Sequence, residues 1–317
     1  MGKPVVYIDG KEGTTGLQIY DRLAGRQDIE LLLIDEDKRK DAAERKKLMN
    51  AADLVFLCLP DAAAVEAVEL VENPSTRIID ASTAHRTAPG WVYGFPELGE
   101  DQREAIRTAK RVANPGCYAT GFISLIAPLV KRGLLPADAP VTCHAISGYT
   151  GGGKKAIAQY EAEEREAELV SPRHYAVTLA HKHIPEMMQV CGLERKPIFM
   201  PMICDFPQGM VVTVPVYLDV LNGAQTPDSL RRLYRDFYAG SRFVSVRPDD
   251  APACGFIGSN NLAGTNDLQI FVCGTEEQVM LAARLDNLGK GASGAAVQNM
   301  NIMLGFPEET GLVEQEK

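Results

Sequence analysis

The sequence predicts an α/β fold, with a Rossmann-type, doubly wound parallel sheet in a first domain and a second domain after it. Three observations support this prediction. A glycine-rich turn joins the first apolar strand to a helix, strands and helices then alternate over the first hundred residues, and further strand patterns follow after residue 140. Such alternation is typical of a parallel sheet, because right-handed crossovers place helices on its faces.

The first strand and turn have the pattern of a site for a nucleotide pyrophosphate. Residues 5–8 are apolar, and the glycines after them are spaced G-x-x-G-x-x-G before a helical pattern begins. Glycine lets the backbone approach a pyrophosphate, whose charge is met by the free N–H groups and the positive dipole end of the helix. An ordinary glycine-rich turn is the alternative. The predicted cofactor-binding residues here are Gly10, Gly13, Thr14, Thr15 and Gly16.

The elements that follow extend the same sheet. Apolar runs predict strands at residues 29–34, 54–59 and 77–80, and helical patterns separate them at residues 41–50 and 62–71. This order of elements supports a dinucleotide-binding domain.

The end of the second predicted strand gives mixed indications about the dinucleotide. Asp35 would bond the ribose hydroxyls of NAD, and its charge would repel the 2′-phosphate of NADP. Lys38, followed by Arg39 and Lys40, could offset the charge of that phosphate, although a solvated basic turn is the more usual role of such a run. These residues leave the choice between NAD and NADP open.

A single cysteine stands out by its position. Cys117 comes directly after a Pro-Gly turn and shortly before the apolar segment 122–129. We therefore expect it at a helix N-terminus, where unpaired N–H groups and the helix dipole favour a thiolate. The same N–H groups could bind an oxyanion at the attacked carbon. A structural cysteine in a turn is the alternative.

Two of the five histidines are candidates for an acid/base group. His181 and His183 precede a predicted helix start, because Pro185 and Glu186 suit a first helical turn. Their spacing would place both on one face of an extended segment, but further metal ligands are lacking, so we predict no metal site. Histidines that only pack are the alternative reading.

Residues 147–155 follow a predicted strand at residues 141–146 and nearly match the P-loop pattern G-x-x-x-x-G-K-[ST]. Lys155 stands where a hydroxyl should hold Mg²⁺, so a P-loop nucleotide-binding protein is only the runner-up function. We expect instead a mobile loop over the site at Cys117, where an acyl group would be attacked, with Lys154 or Lys155 facing an anion.

Composition limits the partners of the chain. The 317 residues have a formal charge of −9 with scattered basic residues, which disfavours nucleic acid. No apolar run approaches the ~20 residues of a membrane span, so we expect a cytoplasmic protein without a membrane partner. The seven cysteines form no C-x-x-C pair, which indicates reduced thiols.

Several motifs together resemble the short form of the N-acetyl-γ-glutamyl-phosphate reductase family over nearly the whole chain. They are residues 10–16, 93–98, 114–120, 147–155, 181–186 and 286–301. The resemblance implies a mixed α+β second domain of the semialdehyde and glyceraldehyde-phosphate dehydrogenase type. It implies a dinucleotide-binding domain of residues 1–116, completed by a C-terminal helix within residues 287–317, and a catalytic and oligomerisation domain of residues 117–286.

Later patterns agree with this division. Strand patterns occur at residues 210–218, 268–273 and 278–285, and residues 291–303 have the small and apolar side chains of a closely packed helix. An acidic helix at residues 160–169 is compatible with a homodimer or homotetramer.

The resemblance also implies a reaction and its substrate. Cys117 would attack the γ-acyl phosphate of N-acetylglutamate, a thioester would form, and NADPH would reduce it to the semialdehyde of arginine biosynthesis. His181 or His183 would transfer protons. Reductases of aspartyl or aminoadipyl phosphate and a non-catalytic nucleotide sensor remain alternatives.

Further binding residues complete the expected site. The resemblance implies that Ser82 contacts the cofactor and that Asn114 and Gly148 contact the substrate. Arg86 and Lys182 are candidates to bind phosphate or a carboxylate, because guanidinium and ammonium groups suit such anions. Both are more often surface charges.

Overall fold

A computed structural model describes residues 2–248 and 255–315 of the chain. The chain folds into two compact units. Unit 1 comprises Met1–Pro96, Glu100–Pro115 and Ala292–Leu312, and unit 2 comprises Glu97–Gly99, Gly116–Gly291 and Val313–Lys317. The domain bounds expected from the sequence stay a prediction.

The elements are numbered in chain order. The strands are β1 (Val5–Asp9), β2 (Glu30–Leu32), β3 (Leu54–Leu57), β4 (Arg77–Asp80), β5 (Val92–Tyr93), β6 (Arg111–Ala113), β7 (Thr142–Gly148), β8 (Arg173–His174), β9 (Ile198–Cys204), β10 (Met210–Tyr217), β11 (Val244–Val246), β12 (Leu268–Gly274) and β13 (Gln278–Leu285). The α-helices are α1 (Thr14–Leu23), α2 (Ala42–Ala51), α3 (Asp61–Glu69), α4 (Glu100–Thr108), α5 (Cys117–Lys131), α6 (Gly153–Tyr160), α7 (Ile184–Cys191), α8 (Pro227–Phe237) and α9 (Gly294–Leu304).

The sheet of unit 1 is parallel, as predicted, with the order β2-β1-β3-β4-β6-β5. The central strand β3 is buried along its whole length, which matches its continuous apolar sequence and a sheet covered on both faces. The edge strand β2 is shorter than the predicted 29–34, because its side chains are exposed or half-buried and gain little from pairing further.

The C-terminal helix α9 belongs to the core of unit 1. Val297 and Met300 pack in one cluster with Ile19 of α1 and Phe56 of β3. The helix begins at Gly294 rather than at the predicted residue 291, because a π-helical turn, Gly289–Ser293, precedes it.

Unit 2 contains a mixed sheet with the order β11-β12-β13-β10-β7-β9-β8. The pairs β11–β12 and β7–β9 are parallel, and the other neighbours are antiparallel. Helix α5 crosses this sheet so closely that a Cβ at Gly121 would lie 2.5 Å from a methyl carbon of Val212. The predicted mixed second domain is therefore confirmed.

The predicted acidic helix at residues 160–169 is wrong. Helix α6 ends at Tyr160, and only the short 3-10 turn Ala167–Val170 follows. Arg165 donates to the Tyr160 carbonyl at 2.9 Å and pairs with Asp205 at 2.7 Å, which holds the chain in a turn. Acidic side chains also disfavour a helix continuing here, since they would meet the negative end of the α6 dipole.

None of the helices within residues 2–248 and 255–315 is long and apolar enough to cross a bilayer.

A buried ion pair joins two segments of unit 2. Lys290 Nζ lies 2.6 Å from Glu97 Oε1, and both side chains are almost completely buried. We expect Lys290→Met to lower the free energy of unfolding by about 3–5 kcal/mol, because it leaves the Glu97 carboxylate buried without its cation. Denaturant titration measures this change.

The matched control is Lys47→Met, which removes an exposed lysine paired with Glu44. Exposed pairs contribute little, so its unfolding curve should overlie that of the wild type. Equal stability of the two variants would contradict a stabilising role for the buried pair.

Candidate active site

Cys117 is the first residue of α5, so the predicted helix start is confirmed. The N-cap residue Gly116 has an extended backbone and no side chain to cap the helix. The N–H groups of the first turn have no acceptor within the helix and point into the space before its N-terminus. This position favours a thiolate and offers donors to an oxyanion.

Glu186 supports this helix start from α7. Its side chain is buried, and Oε2 accepts a hydrogen bond from the backbone N–H of Gly116 at 3.1 Å. From the sequence, Glu186 was predicted only as a first-turn residue of α7. A contact between residues 116 and 186 has no periodic signal in the sequence, so it was missed.

A tight turn lies against Cys117, the predicted nucleophile. A Cβ at Gly291 would lie 2.8 Å from the Cβ of Cys117, so a larger residue there would displace the cysteine. The Gly291 N–H donates to the Asp286 carbonyl at 2.9 Å. The Asp286 carboxylate in turn accepts from the N–H groups of Gly264 and Leu288, at 2.7 and 3.1 Å.

Aromatic rings surround the residue after the cysteine. The buried Tyr118 ring contacts those of Tyr175, His181, His183 and Phe199, with ring centroids 5.3–6.3 Å apart. Burial raises the pKa of the Tyr118 and Tyr175 hydroxyls, and the charge of Cys117 raises both further. Both phenols therefore stay protonated. Neither tyrosine was predicted as a site residue from the sequence.

The structure brings the two predicted histidines together, with ring centroids 4.7 Å apart. They lie in a turn before α7, not in the extended segment that would align them for a metal. His181 Nδ1 accepts from the His183 N–H at 3.1 Å, and its Nε2 lies 3.4 Å from the Tyr175 hydroxyl. A neutral His181 therefore has its proton on Nε2.

No cluster of three or more His, Cys, Asp or Glu side chains in the described part of the chain is arranged to hold a metal ion.

Other cysteines differ from Cys117 in their surroundings. Burial raises the pKa of the Cys58, Cys143 and Cys191 thiols, so these three stay protonated.

The predicted glycine turn lies between β1 and α1 in unit 1. Gly10 has φ +82°, and a Cβ there would lie 2.4 Å from the Cys58 carbonyl oxygen. Gly16 allows an equally close approach to the Gly10 carbonyl, since a Cβ would lie 2.5 Å from that oxygen. These two positions require glycine.

The same turn fits a pyrophosphate. Gly13 is the N-cap of α1 and provides no capping side chain, which leaves the N–H groups of the first turn, Thr14 and Thr15 included, directed outward. The Thr14 hydroxyl oxygen is buried and makes no hydrogen bond to any described residue. A phosphate oxygen at this helix end would satisfy both kinds of group.

Asp35 and Lys38 lie after β2, at the 3-10 turn Glu36–Lys38. Lys38 Nζ pairs with Asp35 Oδ2 at 3.0 Å, and both side chains are largely exposed. The lysine thus already neutralises the carboxylate whose charge would oppose a 2′-phosphate.

Ser82, Arg86 and Asn114 come together at the carboxyl ends of β4 and β6. Ser82 Oγ donates to Asp80 Oδ2 at 2.7 Å, and the Asn114 N–H donates to the Asp80 carbonyl at 2.7 Å. Arg86 Nε donates to the Asn114 carbonyl at 3.0 Å, and Asn114 Nδ2 donates to the Ala292 carbonyl at 2.9 Å. Lys182, in unit 2, is exposed.

The first backbone N–H groups of the segment that resembled a P-loop bond within the protein and do not face a phosphate site. The N–H groups of Gly148, Tyr149 and Thr150 donate to the carbonyls of residues 209, 206 and 207. A Cβ at Gly148 would lie 2.5 Å from the Pro207 oxygen, so this glycine serves a close backbone contact. The expected loop is instead the 3-10 turn Tyr149–Gly152 followed by α6.

Two protein-family models match successive parts of the chain, and solved structures share its fold. A family model described as "Semialdehyde dehydrogenase, NAD binding domain" matches residues 34–109, and one described as "Semialdehyde dehydrogenase, dimerisation domain" matches residues 117–287. Two solved aspartate semialdehyde dehydrogenases share the fold. That from Vibrio cholerae, complexed with ASA, has a TM-score of 0.73 at 13% identity and covers 96% of this chain and 99% of its own. The enzyme from Francisella tularensis has a TM-score of 0.72 at 14% identity, and the match covers 95% of this chain and 100% of its own.

Curated relatives are far more similar in sequence. "N-acetyl-gamma-glutamyl-phosphate reductase 2" of Nostoc sp. is 49% identical over 98% of this chain and 100% of its own. "N-acetyl-gamma-glutamyl-phosphate reductase" of Rhizobium meliloti is 52% identical over 95% of this chain and 99% of its own.

Proposed function

The chain belongs to the N-acetyl-γ-glutamyl-phosphate reductase family, and we propose that it reduces N-acetyl-γ-glutamyl phosphate to N-acetyl-L-glutamate 5-semialdehyde and phosphate in arginine biosynthesis. The observation that supports this most is the position of Cys117 at the uncapped start of α5, beside the cluster of Tyr118, His181 and His183. A nucleophilic thiol, outward N–H donors and imidazoles are the groups that acyl transfer from a phosphate needs.

The reaction starts at the sulfur. The Cys117 thiolate attacks the γ-carbonyl carbon of the acyl phosphate, and the N–H groups at the start of α5 stabilise the oxyanion that forms. Phosphate leaves with the electrons of the C–O bond, and a thioester remains on Cys117. Capture on sulfur thus replaces one difficult displacement by two easier steps.

The second half of the reaction converts the thioester to the aldehyde. The nicotinamide cofactor, when bound, supplies the hydride. Cys117 then leaves from the reduced carbon, which releases the semialdehyde and restores the thiolate. His181 or His183 exchanges protons with the sulfur and the substrate oxygen, and the bond from the His183 N–H positions the His181 ring.

The NAD-binding-domain match indicates a nicotinamide cofactor, and NADP is our proposal for its identity. Gly10, Gly13, Thr14, Thr15 and Gly16 would hold the pyrophosphate. Lys38 would bond the 2′-phosphate with its ammonium group. Its ion pair with Asp35 would at the same time offset the charge by which that carboxylate repels the phosphate.

The oligomeric state, the location and the further binding residues complete the proposal. The dimerisation-domain match indicates an oligomer, while the homodimer or homotetramer and the cytoplasmic location stay predictions. Roles for Ser82 at the cofactor and for Arg86, Asn114, Gly148 and Lys182 at the substrate are also proposals. Relatives named for the acetylglutamyl substrate favour it over aspartyl or aminoadipyl phosphate.

Replacing the nucleophile tests the proposed function. We expect Cys117→Ala to lower kcat by about 10⁴-fold or more, because the substitution removes the sulfur that would carry the acyl intermediate. Formation of NADPH from N-acetylglutamate semialdehyde, phosphate and NADP measures turnover. Cys273→Ala, which changes a half-buried cysteine of β12, should keep near-normal turnover. Activity of the Cys117 variant close to that of this control would contradict the proposal.

The cofactor proposal makes a separate prediction. We expect kcat/KM to be higher with NADPH than with NADH, and Lys38→Ala to reduce that ratio about tenfold, because a charged hydrogen bond to the 2′-phosphate is lost. Steady-state rates with both cofactors measure the ratio. Lys47→Ala is the matched control on an exposed lysine of α2. A wild-type ratio below one would contradict the choice of NADP.

A further inference from the structure

His85 is a buried histidine of unit 1 to which the proposed reaction gives no role. Only 9% of the residue is exposed. Its Nδ1 lies 2.6 Å from Oδ2 of Asp80, a carboxylate that is completely buried. The imidazole also stacks on Trp91, with ring centroids 4.1 Å apart and planes inclined by 14°. Two contacts therefore hold this ring in one orientation.

The surroundings of Asp80 determine which nitrogen of His85 is available. Asp80 Oδ1 accepts from the Ser82 N–H at 2.9 Å, and Oδ2 accepts from Ser82 Oγ at 2.7 Å. A carboxylate held this way accepts a hydrogen bond from an imidazole N–H, so Nδ1 carries the proton in a neutral His85. Nε2 makes no hydrogen bond to any described residue and is not sealed from solvent.

The place of His85 in the sheet indicates what Nε2 binds. Asp80 ends β4, at the same carboxyl edge of the sheet as the glycine turn after β1. The chain order reverses between β1 and β3, which is where a dinucleotide crosses such a sheet. The adenosine half then lies toward β2, near Asp35 and Lys38, so the other half extends across β3 toward β4. Three strand spacings of ~4.8 Å separate β2 from β4, a span that an extended dinucleotide covers.

We infer that His85 binds the nicotinamide ribosyl half of the cofactor, with Nε2 accepting a hydrogen bond from the carboxamide N–H or a ribose hydroxyl. Asp80, Ser82 and Trp91 position the ring, and His85 contacts the ligand. The inference rests on the proposed nicotinamide cofactor and adds the residue that orients its reactive half. An oriented carboxamide matters because it sets which face of the nicotinamide ring is presented.

The only tryptophan of the sequence makes the wild-type protein a direct reporter, because Trp91 stacks on His85. We expect binding of NADP to change Trp91 emission, while adenosine 2′,5′-bisphosphate, which lacks the nicotinamide ribosyl half, binds without that change. Calorimetry measures binding of each ligand independently. Binding of NADP with unchanged Trp91 emission would overturn the inference. No binding of NADP or NAD at all would instead overturn the proposed function.

A substitution tests the hydrogen bond itself. His85→Asn retains an N–H donor near the position of Nδ1 and removes Nε2. We expect its Kd for NADPH, measured by calorimetry, to rise about three- to tenfold, with the Kd for adenosine 2′,5′-bisphosphate unchanged. The unchanged second value shows that the site is intact. His174→Asn, at an exposed histidine of β8, is the matched control and should change neither value.

Other outcomes contradict the assignment. If His85→Asn binds NADPH as the wild type does, or loses both ligands equally, Nε2 does not contact the nicotinamide half. A change confined to the KM for phosphate would place His85 at the substrate anion instead. Should the asparagine variant fail to fold, His85→Phe keeps the stack on Trp91 and is expected to show the same selective loss.

Discussion

The site depends on the close approach of backbone to the start of α5. Gly116 contributes no capping side chain to the first turn, and Gly291 must have no side chain if Cys117 is to keep its place. Hydrogen bonds from backbone N–H groups to the Asp286 and Glu186 carboxylates hold the two backbone segments. The reactivity that we propose for the sulfur depends on this packing, because dipole and N–H effects decline within one helical turn.

Local patterns were enough to predict most of the fold. Apolar runs that alternate with helical patterns indicated the parallel sheet, and β13 was predicted at the residues where it occurs, because apolar residues predominate there. The Pro-Gly turn before an apolar run placed Cys117 at its helix start. The acidic segment after Tyr160 failed, because its conformation depends on a pairing between Arg165 and Asp205 that no local pattern shows.

The missed parts of the site are contacts between distant residues. Glu186 meets Gly116 across seventy positions, and Tyr175 meets Tyr118 across fifty-seven. His85 stood in a segment noted only for Ser82 and Arg86, although Asp80 lies just five residues before it. A sequence shows which residue types are present, whereas the fold decides which of them face each other in a buried setting.

The central claim is that Cys117 receives the acyl group, and mass spectrometry of the protein tests it most directly. The protein is mixed with N-acetyl-γ-glutamyl phosphate in the absence of any nicotinamide cofactor, quenched in acid, and digested. The account predicts an N-acetylglutamyl adduct on the peptide that contains Cys117, released by hydroxylamine as a thioester would be. An adduct on another residue, or none while the acyl phosphate is turned over on adding NADPH, would contradict it.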